Sequence, residues 1–108
     1  MIAPTLEEVT LLHNTMCQAV SEPRRIMILY ALAERPHHVT ALAEKLDIPQ
    51  PTVSRHLRLL RQHGLVETER QGTAVTYTLT EPRVIEVLDT MRQILADALS
   101  KQAELAAV

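Results

Sequence analysis

Aromatic residues are nearly missing: the 108-residue chain has no Phe, no Trp and two Tyr. Hydrophobic residues still make up 46% of it, so the core has to be aliphatic, built from Leu, Ile, Val, Met and Ala. One cysteine excludes an intrachain disulfide and fits a reducing compartment. Two glycines leave no Gly-rich loop, and no Ser/His or Cys/His pairing pattern is present, so no catalytic constellation and no enzyme is expected. No apolar run approaches the ~18 residues of a membrane span, and the N-terminus lacks the basic and apolar regions of a signal peptide. The expectation is a cytoplasmic protein with no membrane partner, one domain over residues 1–108, and a core small enough to benefit from a second subunit.

What is present is concentrated between Val39 and Leu65, VTALAEKLDIPQPTVSRHLRLLRQHGL. Val39, Leu42, Ala43 and Leu46 recur at i, i+3, i+4 and i+7 and give a first short helix one apolar face. Asp47-Ile48-Pro49-Gln50 interrupts it, because proline disfavours helical backbone in the residue before it. Pro51 then suits the first turn of a second helix, where a missing N–H costs nothing. Val53, Leu57 and Leu60 form its buried stripe, and at about 100° per residue Arg55, Arg58 and Gln62 point the opposite way. Gly64 falls where glycine commonly ends a helix. Two short helices around a tight turn, the second with a polar and basic outer face, match a helix-turn-helix whose first turns (Thr52, Ser54, Arg55) reach base edges. An ordinary helical hairpin with a solvated face is the alternative.

The net charge of −2 is wrong for a uniformly basic nucleic-acid binder, but its distribution is uneven. Residues 50–76 carry a local balance of +2, from Arg55, Arg58, Arg61 and Arg70 against Glu67 and Glu69. The segment from Glu81 onward carries −2. Phosphate contacts need a local basic surface rather than a basic protein.

Elsewhere, Thr5-Leu6-Glu7-Glu8 is a capping box opening a helix with Leu6, Val9, Leu12, Met16 and Val20 on one side. Ser21-Glu22-Pro23 breaks it and starts another, with Ile26, Leu29, Tyr30 and Ala33 as its core stripe and Arg35-Pro36 as its stop. His37 and His38 fall in a short connection and are expected to be solvated. After Gly64 the period changes to two: Val75, Tyr77 and Leu79 alternate with Thr76 and Thr78, and residues 66–70 can pair with them across Gln71-Gly72-Thr73. Such a hairpin is a wing. Arg70 near its tip either reaches a phosphate or the minor groove or is a solvated turn arginine. Thr80-Glu81-Pro82 begins a last helix whose stripe of Val84, Leu88, Met91, Leu95 and Ala98 runs past what a small winged domain needs, which suggests packing against its twin.

The order helix, helix, helix-turn-helix, hairpin, helix resembles the ArsR/SmtB family of dimeric winged-helix repressors. Residues 19–32 (AVSEPRRIMILYAL), 48–66 (IPQPTVSRHLRLLRQHGLV) and 70–80 (RQGTAVTYTLT) carry the resemblance, which runs from about Ala19 to Leu95. It implies a mainly α winged helix-turn-helix with a small β-hairpin, dimeric, in which 1–20 and 81–108 are helical dimerisation elements. It further implies a homodimeric repressor that binds an inverted repeat in double-stranded DNA and is released by an effector. By the same analogy Gln50, Thr52, Ser54, Arg55 and His56 recognise DNA, with Arg70 in the wing; Arg58 joins them from its place on the outer face. One departure is Pro49, where the family often has a capping Ser or Thr. A winged-helix module that binds protein partners instead of DNA is the competing function.

Neither familiar metal site of the family transfers: the helix at 41–46 has no cysteine and the last helix no histidine, so no cofactor is assigned. His13 and Cys17, at i and i+4, are the remaining metal candidates, with core packing beside the apolar stripe as the favoured role. For His56, about 60° from the centre of the buried stripe, a phosphate or a helix-packing contact is expected.

Overall fold

Residues 2–107, described here from a computed structural model, are organised around the stripe that the sequence marks on the second helix of the helix-turn-helix. The first helix, α1 (Leu6–Leu12), starts at the capping box, where Thr5 Oγ1 accepts the Glu8 N–H at 3.2 Å. It does not run on as a regular helix to Val20. A π-type turn, His13–Cys17, follows it, and neither segment buries a side chain. The outward Leu6, Val9, Leu12 and Met16 therefore line no core within the chain.

Helix α2 (Pro23–Glu34) begins where Ser21-Glu22-Pro23 predicts, with one Glu22 carboxylate oxygen accepting the N–H groups of Arg24 and Arg25. Its inward stripe is Arg25, Ile28, Leu29 and Leu32, with Ala31 beside it. This corrects the expected Ile26, Leu29, Tyr30 and Ala33. Ile26 and Tyr30 are half-buried and Ala33 is exposed, because a buried arginine opens the stripe one residue earlier than hydrophobicity indicates.

The short strand β1 (His37–His38) and helix α3 (Val39–Leu46) come next. His37 is buried and pairs with Tyr77, which corrects its expected solvated place; His38 is exposed as expected, though it pairs with Thr76 in a strand rather than lying in a loop. A two-residue strand is too short to show a period. Asp47 closes α3 at φ 54, with Ile48 N–H on Ala43 O (3.1 Å) and Asp47 N–H on Glu44 O (3.3 Å). That pair of bonds is a Schellman ending, and it drives Ile48 into the core. Helix α4 (Gln50–Gln62) ends the same way through Gly64 (φ 75): Leu65 N–H reaches Leu60 O and Gly64 N–H reaches Arg61 O. Val53, Leu57 and Leu60 are fully buried, and Arg55, Arg58 and Gln62 are exposed, as their spacing predicts.

Strands β2 (Val66–Gln71) and β3 (Ala74–Leu79) form the wing, joined by the two residues Gly72-Thr73. Only Gly72 has positive φ, the pattern of a type II′ hairpin turn. With β1 on its other side, β3 is the centre of a three-stranded antiparallel sheet, β1-β3-β2, rather than half of an isolated hairpin. The Thr80 hydroxyl and N–H then bind the carbonyls of Gly64 and Leu65 and fix the wing to the end of α4.

Helix α5 (Arg83–Ala107) lies on this body only through its first turns. Val84, Ile85 and Leu88 pack on the core, and Tyr30 of α2 donates its hydroxyl to Asp89 Oδ1 at 2.6 Å under the Arg92 guanidinium. Beyond Arg92 every described residue of α5 is exposed. The radius of gyration, 16.9 Å, exceeds the roughly 13 Å of a globule of this length. No described helix is long and apolar enough to cross a membrane.

Candidate nucleic-acid interface

The reading face is built by the stripe behind it. Burying Val53, Leu57 and Leu60 fixes the roll of α4, so that Gln50, Arg55, Arg58, Arg61 and Gln62 are exposed on its far side, with Thr52 and Ser54 half-buried at the flanks of the first two turns. Among the described residues, no carboxylate lies within ion-pair distance of Arg55, Arg58 or Arg61; the four ion pairs lie elsewhere. Three arginines free to meet phosphates or base edges thus share one helix.

The start of α4 answers the question raised by Pro49. Pro49 is the N-cap with no side-chain cap bond, and its carbonyl accepts the N–H groups of Thr52 (3.0 Å) and Val53 (3.1 Å). Pro51 has no N–H to satisfy. The first turn is held by backbone alone, which leaves the side chains of Gln50, Thr52 and Ser54 uncommitted to capping.

Arg70 is exposed on β2, opposite Val75 and one residue from the two-residue turn. The wing carries it on a paired strand, flanked by the exposed Glu69.

His56 does not join the exposed set, and this corrects its place among the DNA-recognising residues. The residue is 6% exposed and its side chain is turned inward, with Nδ1 3.2 Å from Arg25 Nη1 and Nε2 3.6 Å from Glu22 Oε2. Burial lowers its pKa from the ordinary 6.5; Glu22 opposes the shift and Arg25 adds to it. Of the two contacts expected for His56, helix packing is the one its position provides.

His13 and Cys17 line one open cleft with Asn14, Gln18 and Ser21. Cys17 is exposed rather than packed, and the His13 ring is taken up by Asn14 Oδ1 at 3.1 Å. Among the described residues, no three His, Cys, Asp or Glu side chains gather at metal-binding distance. Two groups missed from sequence are Arg25 and Glu22, which hold His56. The available signal was the spacing of Arg25 to Ile28, Leu29 and Leu32, which places a charged residue on an apolar face.

Comparison with known proteins agrees with this geometry. The sequence profile described as bacterial regulatory protein, arsR family, matches residues 22–68, from the N-cap of α2 into the first wing strand. The regulator NmtR of Mycobacterium tuberculosis is 43% identical over 72 residues, 67% of this chain and 60% of its own length. The chain therefore spans less than two thirds of that relative. The repressor SmtB of M. tuberculosis is 35% identical over 98 residues, 90% of this chain and 73% of that protein. The solution structure of the homodimeric winged helix-turn-helix DNA-binding domain Mb0332 from Mycobacterium bovis superposes with a TM-score of 0.74 at 26% identity, covering 94% of this chain and 95% of that one. With the fold, the exposed arginine face and these likenesses in agreement, the chain belongs to the ArsR family of winged helix-turn-helix transcriptional regulators.

Proposed function

We propose that the protein is a homodimeric transcriptional repressor that binds an inverted-repeat operator in the cytoplasm and leaves it when an effector binds. It acts by binding rather than by catalysis. The observation that carries the reading is α4: a helix rolled by its buried stripe so that Gln50, Arg55 and Arg58 are exposed and Thr52 and Ser54 flank them half-buried, with no carboxylate neutralising the arginines. In the dimer, two copies of α4 enter successive major grooves about one helical turn apart, and each Arg70 follows the backbone or minor groove beside them. The segments 1–20 and 81–108 supply the dimer interface. Leu6, Leu12, Met91, Ile94, Leu95 and Leu99 are between 45% and 82% exposed, an apolar surface that a single chain leaves uncovered. The homodimeric state of Mb0332 supports a dimer.

The test is selection of bound fragments from random duplex DNA, followed by titration of the enriched duplex at two salt concentrations. An enriched inverted repeat, bound more weakly as salt rises, is expected. Arg55→Ala should weaken that binding by about 1–3 kcal/mol, the value of one good base contact, with thermal stability unchanged. No enrichment would pass the weight to a protein-interaction module.

A further inference from the structure

Among the described residues Arg25 is the one buried arginine, at 8% exposure, and each of its guanidinium nitrogens is committed. Nε donates to Ala19 O at 2.9 Å and Nη2 to Gln18 O at 2.8 Å, the last carbonyls of the first helical segment. Nη2 also stands 3.5 Å from Ser21 Oγ. Nη1 reaches His56 Nδ1 on α4 at 3.2 Å. A guanidinium has no acceptor, so Nδ1 must be the acceptor and the imidazole is neutral with its proton on Nε2. That proton faces Glu22 Oε2 at 3.6 Å, the same oxygen that caps α2. One side chain thus joins the end of the first helical segment, the start of α2 and the middle of α4, immediately beside Arg55.

The join matters because little else holds the first segment. Among residues 2–18 no side chain is buried, and Ala19 is the first that is. Beside the packing of Ala19 and Val20 on the core, the Arg25 fork is what ties the end of that segment to the reading helix. We propose that Arg25 is a positioning residue for DNA recognition, acting through His56: it fixes α4 relative to the first helix and so sets the spacing of the two reading helices in a dimer. The inference rests on the operator-binding reading above. A charged, buried, three-way bond has few alternative geometries, whereas a pair of half-site contacts tolerates little error in spacing. Loss of the fork should cost sequence-specific binding, which needs both helices in register, and spare non-specific binding, which needs only charge.

The experiment uses the full chain, the duplex enriched by selection and a random duplex of equal length. Arg25→Lys keeps the charge but gathers its donors on one nitrogen, which cannot span acceptors that Nε, Nη1 and Nη2 reach separately; His56→Leu removes the acceptor; His56→Asn restores one near the Nδ1 position. Arg25→Lys and His56→Leu should lose about tenfold in affinity for the enriched duplex, with random-duplex affinity unchanged and helicity retained, while His56→Asn binds as the parent does. Unchanged operator binding in Arg25→Lys or His56→Leu would overturn the proposal. So would parallel loss on both duplexes, or His56→Asn failing as fully as His56→Leu. Should Arg25→Lys not fold, the His56 pair decides the matter. A parent chain that enriches no sequence removes the operator reading and this proposal with it, a result distinct from any of the variant outcomes.

Discussion

Helices α4 and α5 look alike in sequence and end in opposite situations. Each carries apolar residues at spacings of four and three (Val53, Leu57 and Leu60; Val84, Leu88, Met91, Leu95 and Ala98), and each has charged residues on its other side. In α4 the stripe is shut away, with Val53, Leu57 and Leu60 at 0% exposure. In α5 only Leu88 is buried, and Met91, Ile94, Leu95 and Leu99 stand 45–61% exposed. An amphipathic stripe states that a helix has a partner; it does not say whether the partner lies in the same chain. α4 finds its partner in α2, α3 and the wing, and this fixes the roll of the reading face. α5 passes the edge of the body after Arg92, so the rest of its stripe is open to another copy.

The largest separation of the two helices should come from truncating one leucine in each. Leu57→Ala removes a fully buried side chain and should cost about 2–5 kcal/mol in denaturant unfolding, whatever the protein concentration. Leu95→Ala, at a 57% exposed position, should leave the dilute chain nearly unaffected and lower the melting temperature only at concentrations where copies associate. Equal costs for the two in dilute solution would erase the contrast.

A sharper break comes from charge. Ile94→Asp combined with Leu95→Asp should give a chain that sediments as a monomer with its helical signal retained. A double variant that stays dimeric would move the interface elsewhere. Ending the chain at Pro82 is a poorer test, because it also removes Val84, Ile85 and Leu88 from the core.

A smaller effect should mark where α5 leaves the body. Tyr30→Phe deletes the hydroxyl that reaches Asp89, and should cost about 0.5–1.5 kcal/mol or less, since the bond is solvent-accessible. The same hydroxyl, partly desolvated and facing the Asp89 carboxylate, has its pKa raised above 10.0. The tyrosine therefore stays a donor across the neutral range.

The smallest effect lies behind α4. Because the His56 pKa is lowered in the folded chain, the unfolded chain binds more protons between the folded value and 6.5. Stability present above about pH 6.5 should fall as the pH drops through the folded-state pKa, and His56→Asn should lack this component of the slope in urea unfolding. A steeper acid loss in His56→Asn than in the parent would contradict the buried neutral imidazole.

Several elements were legible from short-range rules. The capping box at Thr5, the start of α2 at Pro23, the stop of α4 at Gly64 and the strands of the wing each follow from local backbone chemistry, and each lies where that chemistry puts it. The outer face of α4 was legible for the same reason, since burying three aliphatic positions fixes every other side chain on a helix. Three features escaped. β1 has two residues and exists only because β3 offers a free edge. The stripe of α2 is rolled because Arg25 is buried, and a charge is read as solvent-facing unless its partners are known. His56 turns inward toward Arg25 and Glu22, and both stand more than about thirty residues away in sequence, beyond the reach of helical periodicity.

The sequence by itself determined the helices, the turn between α3 and α4, and the positive charge on the reading helix. Periodicity, proline, glycine and arginine act over three or four residues and need nothing distant. Tertiary structure alone decided which apolar stripes close within the chain, that the wing has a third strand, and that one arginine serves as an internal strut. Those outcomes depend on which groups meet across the fold, where a buried charge is tolerated only if three acceptors converge on it.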